Sequence, residues 1–388
     1  MNAIPVKTRN GITRARYRPT WAGIDLKAVE YNYVQVKRLV GKDVMLMAVV
    51  KANAYGHGTV EISRVLEGMG VNYLGVATTD EAVRLRDHGI KAPILILGSL
   101  LPEEVRVARD RDITITLCNH EILNEIKRLV KQEGQQAVKI KVHLKIDTGM
   151  GRIGIWHEDV MAFVKDVLSV KDVILEGVYT HFSSAGRDEF FTNYQIESFE
   201  RLLASIEKNW IKIPLRHAAN SIATVDFKRS HLNLVRPGLI IYGMYPKHTF
   251  PKLIKLKPAM SLKTRIVFIK DIPPGRSISY GRTFITQKPT RIATLPIGYA
   301  DGYNRGVSNK AHVLVRGQFA PVVGKVTMDQ TMIDVGHIKG VKIGDEVVLI
   351  GKQGRHEIRV EKLARLAGTI AYDFICGISN RVPRIYSE

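Results

Sequence analysis

The feature that most constrains this chain is an alternation that runs through residues 44–243. Short, nearly continuous apolar runs ("VMLMAVVK", "YLGVA", "PILILG", "ITITLC", "VHLKID", "LEGVYTHF", "RHAAN", "LIIYG") alternate with longer amphipathic ones such as "TVEISRVLEGMG", "TTDEAVRLRDHG", "NHEILNEIKRLVKQE" and "TNYQIESFERLLASIEK". An apolar strand with no polar alternation must be buried on both faces, which is the condition of a parallel sheet covered by helices. About eight such units in roughly 220 residues predict a (β/α)8 TIM-type barrel, with a doubly wound sheet as the competing layout. An earlier amphipathic run, "DLKAVEYNYVQVKRLV", predicts a helix with Asp25 as its N-cap.

Beyond about residue 258 the grammar changes. "SLKTRIVFIKDI", "TRIATLPIG", "HVLVRG", "APVVGKVTM", "TMIDVG" and "DEVVLIG" are short strands separated by Gly, Pro, Asn and Asp, with one clear helix in "RVEKLARLAG". This predicts a second, mainly antiparallel β domain. The chain of 388 residues is too long for one core, so the expected division is a basic N-terminal arm over 1–18, a barrel over 19–257 and a β domain over 258–388.

Composition narrows the class. Hydrophobic residues at 45% and charged residues at 24% are those of a water-soluble globular protein, and no apolar run approaches the ~20 residues that span a bilayer. The basic N-terminal stretch has no apolar centre and does not resemble a secretory signal. Two cysteines, Cys118 and Cys376, with no metal-ligand spacing fit a reducing cytoplasm and no resident metal. The formal net charge of +21 raises nucleic acid as a partner. The basic residues are scattered through amphipathic segments, so a solvated basic surface is the expected reading; Arg14, Arg16 and Arg18 belong to an arm that packs or moves.

In such a barrel, chemistry collects where strands end and βα loops begin. Lys51 sits at such an end, as do His181 after "GVYT", Ser221 after "HAAN", and Arg236 and Gly238 in the "VRPG" turn; Arg152 follows "KIDTGMG". Each alone has a plain structural explanation, but together on one rim they make a site. Burial at an apolar mouth disfavours an ammonium ion, so Lys51 is placed to act as a nucleophilic amine of the kind a Schiff base needs. Pyridoxal phosphate is the aldehyde best known for that use. It also requires a phosphate cradle, for which Ser221 and the amides after Gly238 are candidates, and a partner for its ring nitrogen, for which Arg236 is one.

Nine stretches in order, "AVVKANAYGHG", "KIDTGMGRIG", "YTHFSSA", "HAANS", "VRPGLIIYG", "SISYGRTF", "LPIGYADGYNR", "GKVTMDQTMID" and "ISNRVPRIY", resemble the pyridoxal-phosphate-dependent alanine racemases over roughly residues 20–386. The resemblance implies interconversion of L- and D-alanine through a cofactor aldimine on Lys51. Lys51 and Tyr280 would act as bases on opposite faces of the substrate, since a proton must leave one side of Cα and another arrive on the other. It implies Tyr55, Ser221, Gly238 and Leu239 at the phosphate, and His181 and Arg236 on the path from Tyr280 to the ring. Arg152 would meet the cofactor and the substrate carboxylate, with Lys145 a candidate for carbamylation beside it. Met328 and Tyr299 would contact substrate or line the entrance.

The resemblance further implies a homodimer in which Tyr280 comes from the partner subunit. One position departs from the family: "GISNRVPR" carries Asn380 where a tyrosine is usual, which predicts a roomier pocket and serine accepted beside alanine. A pyridoxal-phosphate amino-acid decarboxylase of the same layout is the runner-up. A non-catalytic cofactor-binding protein would leave Tyr280 and "GYADG" unexplained.

Overall fold

The structure, a computed structural model, describes all residues except 1–3, 8–12, 134–138, 248 and 251–252, and describes only the backbone at 4–7, 13–16 and 133. Its contacts divide the chain into two units. One comprises Val29–Ala54 and Gly58–Leu256; the other comprises the chain up to Ala28, the short piece Tyr55–His57 and Lys257–Glu388. Among the described residues no helix is long and apolar enough to cross a membrane.

Among the described residues the first unit contains eight parallel barrel strands, β1 (Met45–Val49), β2 (Tyr73–Val76), β3 (Ile94–Ile96), β4 (Ile115–Leu117), β5 (Ile140–Asp147), β6 (Val173–Tyr179), β7 (Leu215–His217) and β8 (Leu234–Val235), with the two-residue strand Ile155–Trp156 paired off the ring to β5. Neighbours pair in sequence order from β1 to β3 and from β4 to β7, and β8 returns to β1 through Leu234 opposite Met45. The bridge from Leu95 to Thr114 joins β3 to β4. Asn233 closes the ring, its amide donating to the Arg216 carbonyl at 3.4 Å while its side chain accepts from Arg216 N at 2.8 Å. The result is the (β/α)8 barrel that the unbroken apolar runs require. Met47, Tyr73, Leu95, Leu215 and Leu234 form one interior cluster. Three of its helices begin at side-chain caps: Thr78 accepts from Glu81 N, Asp188 from Phe191 N, and Asn220 from the amides of Ile222 and Ala223.

The second unit is mainly antiparallel, as expected. A seven-stranded sheet runs from Gln318–Pro321 through His312–Val315, Glu346–Gln353 and Met260–Arg265 to Trp21–Asp25 and Arg384–Ser387, with His356–Ile358 paired to Glu346–Gln353. A three-stranded sheet (Phe268–Ile272, Thr290–Leu295, Thr331–Asp334) and a ribbon (Ser277–Ile278 with Phe284–Ile285) complete it.

Three expectations need correction. The run "LIIYG" is not a strand but a 3-10 turn, Leu239–Tyr242, and the eighth strand is the shorter Leu234–Val235. All four residues of the turn are at most 1% exposed, and a short run buried on every side carries no period that separates strand from helix. Second, the barrel unit does not begin at residue 19. Trp21–Asp25 pairs with Met260–Arg265 and Arg384–Ser387 and so belongs to the β unit, handing the chain on at the helix Leu26–Val40, where Asp25 accepts from Ala28 N at 2.9 Å as predicted.

Third, the arm assigned to 1–18 is not a separate element throughout. Ile4–Lys7 pairs with Thr13–Arg16, and Arg18 binds the buried Asp301 with both guanidinium nitrogens at 2.5 and 2.7 Å. The side chains of Arg14 and Arg16 lie outside the described residues.

Candidate active site

After β1 the chain makes a turn that few sequences tolerate. Lys51 is followed by Ala52, Asn53, Ala54 and Tyr55 with φ of 51°, 53°, 53° and 52°, a single left-handed helical turn without glycine. Each such residue costs roughly 1–2 kcal/mol relative to the right-handed form. The surroundings over-determine it: Glu81 accepts from Ala52 N at 2.6 Å and from Ala77 N at 2.7 Å, and the Asn53 side chain accepts from Thr59 N at 3.1 Å. Strain held in this way is found most often at functional turns, and here it begins directly after Lys51. Tyr55, at the far end of the turn, belongs by its contacts to the β unit, where its ring lies 5.7 Å from that of Tyr372.

The loop after β5 is organised by one carboxylate. Asp147 accepts from the amides of Gly149, Met150, Gly151 and Arg152 at 2.8–3.3 Å. Burial alone would raise this carboxyl, but the amides of Gly149, Gly151 and Met150, with the charge of Lys145, hold it below its ordinary range. The glycines of "DTGMGRIG" follow from the geometry: at Gly154 a Cβ would stand 2.9 Å from Asp147 N, and its φ of 126° suits glycine alone. Beneath this loop lies Lys145, 2% exposed, donating to the Ile146 carbonyl at 2.9 Å and lying 5.1 Å over the Tyr179 ring. Burial, helped by Arg236 and opposed by Asp147, pushes its ammonium down to about 7.

Arg236 is 3% exposed. One terminal nitrogen donates to His217 Nδ1 at 2.8 Å; the other donates to the Thr180 carbonyl at 2.7 Å and the Ala218 carbonyl at 2.9 Å, and lies 3.3 Å from His181 Nδ1. Among the described residues no carboxylate pairs with it. Burial pushes it down to about 10, so it keeps its charge at neutral pH. His181 is held well below its ordinary value by burial first and then by Arg236, Lys145, Arg152 and Lys51. Four cations picked out from the sequence thus lie close enough to disfavour a proton on one imidazole. Nearby, Gly238 N donates to Ser221 Oγ at 2.8 Å, and Leu239 opens the 3-10 turn that follows.

Four residues of this region were missed in the sequence: His143, His217, Glu176 and Tyr179. Tyr179 stacks on His217 at 4.7 Å, and its hydroxyl meets Thr116 at 2.7 Å. His143 Nδ1 lies 2.8 Å from His217 Nε2. A signal was available, since in "KVHLKID" His143, Lys145 and Asp147 occupy alternate positions of one strand, and alternate positions share a face.

The remaining predicted residues lie on the β unit. Tyr280, Tyr299 and Met328 line a single open cleft of about 1150 Å³, together with Asp329, Asp373 and Phe374 among others. Tyr280 sits at the tip of the two-stranded ribbon between Ser279 and Gly281, both at positive φ, and is 70% exposed. The "PIGYADG" stretch folds tightly because its glycines must be glycine: a Cβ on Gly298 would meet the Thr327 carbonyl at 2.2 Å, and one on Gly302 the Gly377 carbonyl at 2.2 Å. Asp301 caps the turn from below, accepting from Gly298 N at 2.9 Å while held by Arg18. Asn380 is exposed, beside Arg381, which binds Asp329 at 2.7 Å.

A (β/α)8 barrel joined in one chain to a mainly antiparallel β unit is the architecture this chain shares with a family of pyridoxal-phosphate-dependent racemases, which are isomerases. Two family descriptions divide the chain at the same place: "Alanine racemase, N-terminal domain" matches residues 24–246 and "Alanine racemase, C-terminal domain" residues 259–386. The chain belongs to the alanine racemase family. It is 46% identical to the alanine racemase of Halothermothrix orenii over 96% of this chain and 97% of that one, and 45% identical to alanine racemase 2 of Caldanaerobacter subterraneus subsp. tengcongensis over 95% of each. Among solved structures, the alanine racemase of Streptomyces lavendulae superposes with a TM-score of 0.90 at 34% identity, covering 96% of this chain and 98% of that one. That of Bacillus anthracis, with bound L-Ala-P, gives 0.89 at 38%, covering 97% and 96%.

Proposed function

We propose that the protein interconverts L- and D-alanine in the cytoplasm, using pyridoxal phosphate held at the barrel rim and two bases, Lys51 and Tyr280 of the partner subunit. The observation that carries this reading is the environment of Arg236: a buried guanidinium that faces carbonyls and imidazoles and has no carboxylate beside it. Such a group suits a neutral heterocyclic nitrogen as its next partner and keeps its own proton. The other residues fit the same cofactor. Lys51 supplies the amine, Ser221 with the amides of Gly238 and Leu239 the phosphate donors, and Tyr55 a phenol for the same phosphate. When bound, pyridoxal phosphate withdraws electrons from the substrate's Cα and so acidifies its hydrogen.

The chain's own residues do the rest. Arg236 stays protonated, so it would offer a bound ring only a hydrogen bond, which would limit electron withdrawal and favour simple inversion over side reactions. His181, neutral, links Arg236 towards the phenol. Arg152 would receive the substrate carboxylate, with the amide of the partner subunit's Met328 and the partner subunit's Tyr299 contributing from the cleft. Lys145, with part of its amine neutral near pH 7, is able to take up carbon dioxide as a carbamate that would orient Arg152. Lys51 and Tyr280 take and return the proton from opposite sides.

The dimer is supported by the β unit, which exposes Tyr280 at 70%, Met328 at 53% and Tyr299 at 43%, a cluster of large side chains of the kind that a partner covers. Asn380 supports a second substrate, serine. The decisive experiment is borohydride reduction of the protein with pyridoxal phosphate, followed by peptide mapping and a chiral assay on L-alanine. Cofactor attached to Lys51, with D-alanine formed at unchanged mass, is expected. Loss of carbon dioxide would select the decarboxylase, and no label with untouched L-alanine would end the reading.

A further inference from the structure

The polar line from the barrel rim does not stop at His217. Arg236 can only donate, so His217 Nδ1 must accept from it. His217 is neutral, held well below its ordinary value by burial and Arg236, and so carries its single proton on Nε2. That proton points at His143 Nδ1, 2.8 Å away, which must in turn accept. His143, also kept neutral by burial, then has its proton on Nε2. This last atom is fully buried without a well-formed hydrogen bond, and it faces Glu176 Oε2 at 3.4 Å. Each tautomer follows from the one before it, and the line ends on a carboxylate at the opposite end of the barrel from the rim.

The backbone is built to put that carboxylate there. In β6 the pairing with β5 slips between Leu175 and Gly177: Leu175 stands opposite Val142 and Gly177 opposite His143, leaving Glu176 as the extra residue of a bulge. A bulge re-aims a side chain that regular alternation would send to the other face. Thr114 Oγ1 donates to Glu176 Oε2 at 3.1 Å. Burial would raise the Glu176 carboxyl, but the nearby His143 and Tyr73, together with Thr114, hold it below its ordinary value. The next residue has to be glycine, because a Cβ on Gly177 would lie 2.6 Å from His143 Cε1 and Nδ1. One residue makes room for the imidazole and its neighbour closes the line beneath it.

We propose that Glu176 is a positioning residue, the remote counter-charge that fixes His143 and His217 as neutral Nε2–H tautomers and thereby locks the guanidinium of Arg236 in its orientation at the rim. The role at the cofactor ring rests on the function proposed above; the tautomers do not.

The test is 15N NMR of histidine-labelled protein, recorded with and without added pyridoxal phosphate, on wild type, Glu176→Gln and Gly177→Ala. Wild type shows both histidines with bare Nδ1 and protonated Nε2. In Glu176→Gln, which keeps an acceptor but removes the charge, the resonances of His217 shift although His217 does not touch residue 176. The kcat for alanine falls by roughly tenfold, the scale of losing an outer partner of a preorganised site, with KM within about twofold. Gly177→Ala, which evicts His143, gives the same kcat loss with Glu176 in place. A wild-type spectrum with either histidine as Nδ1–H or imidazolium overturns the proposal even if no variant folds. So does a Glu176→Gln protein with unmoved His217 resonances or unchanged kcat. A protein that binds no pyridoxal phosphate yet shows the expected tautomers would sink the functional reading and leave the line intact.

Discussion

The barrel rim and the cleft of the β unit bring their chemical groups to hand in opposite ways. At the rim, Lys145 and Arg236 are at most 3% exposed, and they are fixed, with Asp147, by hydrogen bonds to carbonyls, amides and imidazoles of the same unit. Their surroundings are fixed before any ligand arrives, which is what electrostatic preorganisation means in structural terms. In the cleft, the fold is just as exacting about backbone, as Gly298, Gly302 and Asp301 show, but it leaves Tyr280, Tyr299 and Met328 largely in solvent. A phenol at 70% exposure has been positioned without being given an environment. On the function proposed above, the rim would be one half of a site and the cleft the other, each supplied to the other by a second copy of the chain.

Substitutions that remove one half outright should have the largest effect. Lys51→Ala is expected to lower racemisation by at least ~1,000-fold, since an acid/base group and the anchoring amine go together. Tyr280→Phe, which removes one exposed hydroxyl and nothing from the fold, should cost ~100- to 10,000-fold, measured as kcat for alanine in both directions. A Tyr280→Phe protein of full activity would remove the cleft from the reaction.

A smaller effect separates the halves by pH. Lys145 has its ammonium pushed down to about 7, against 10.5 for an ordinary lysine. Between those values the unfolded chain holds a proton that the folded chain lacks, so this group makes stability rise with pH, and its contribution is lost as pH falls through 7. Urea unfolding in buffer free of carbon dioxide should therefore show wild type gaining up to about 1.4 kcal/mol per pH unit between pH 7.5 and 9 relative to Lys145→Met. Parallel pH profiles for the two proteins would show that Lys145 is not held in this way.

The smallest effect concerns selectivity at the cleft. Asn380→Tyr should restore bulk beside the cleft and lower the ratio of kcat/KM for serine over alanine by about tenfold, the scale of one misfit group in a pocket. An unchanged ratio would disconnect Asn380 from specificity.

What was legible in the sequence follows the same division. The barrel was readable because strands buried on both faces leave continuous apolar runs. The rim residues at strand ends, Lys51, His181, Ser221 and Arg236, were readable because a parallel barrel exposes chemistry at one end only. Position, however, does not reveal partners. Regular alternation would send Glu176 outward, and a bulge that reverses a side chain leaves no mark in the sequence pattern. His143 passed as one polar residue in a strand. Leu239–Tyr242 passed as a strand because complete burial erases periodicity. Trp21–Asp25 could not be assigned to the β unit from sequence, since its partners Met260–Arg265 and Arg384–Ser387 lie more than two hundred residues away.

The claim that one half of each site comes from another copy is tested most directly by mixing. Lys51→Ala and Tyr280→Phe proteins, each inactive alone, are unfolded together, refolded and assayed for alanine racemisation. If the halves meet between subunits, random pairing makes half the dimers mixed, each with one intact site of two, and activity returns to about a quarter of wild type. If the mixture stays as inactive as its components while wild type recovers under the same protocol, the two halves are not shared between subunits and the account is wrong.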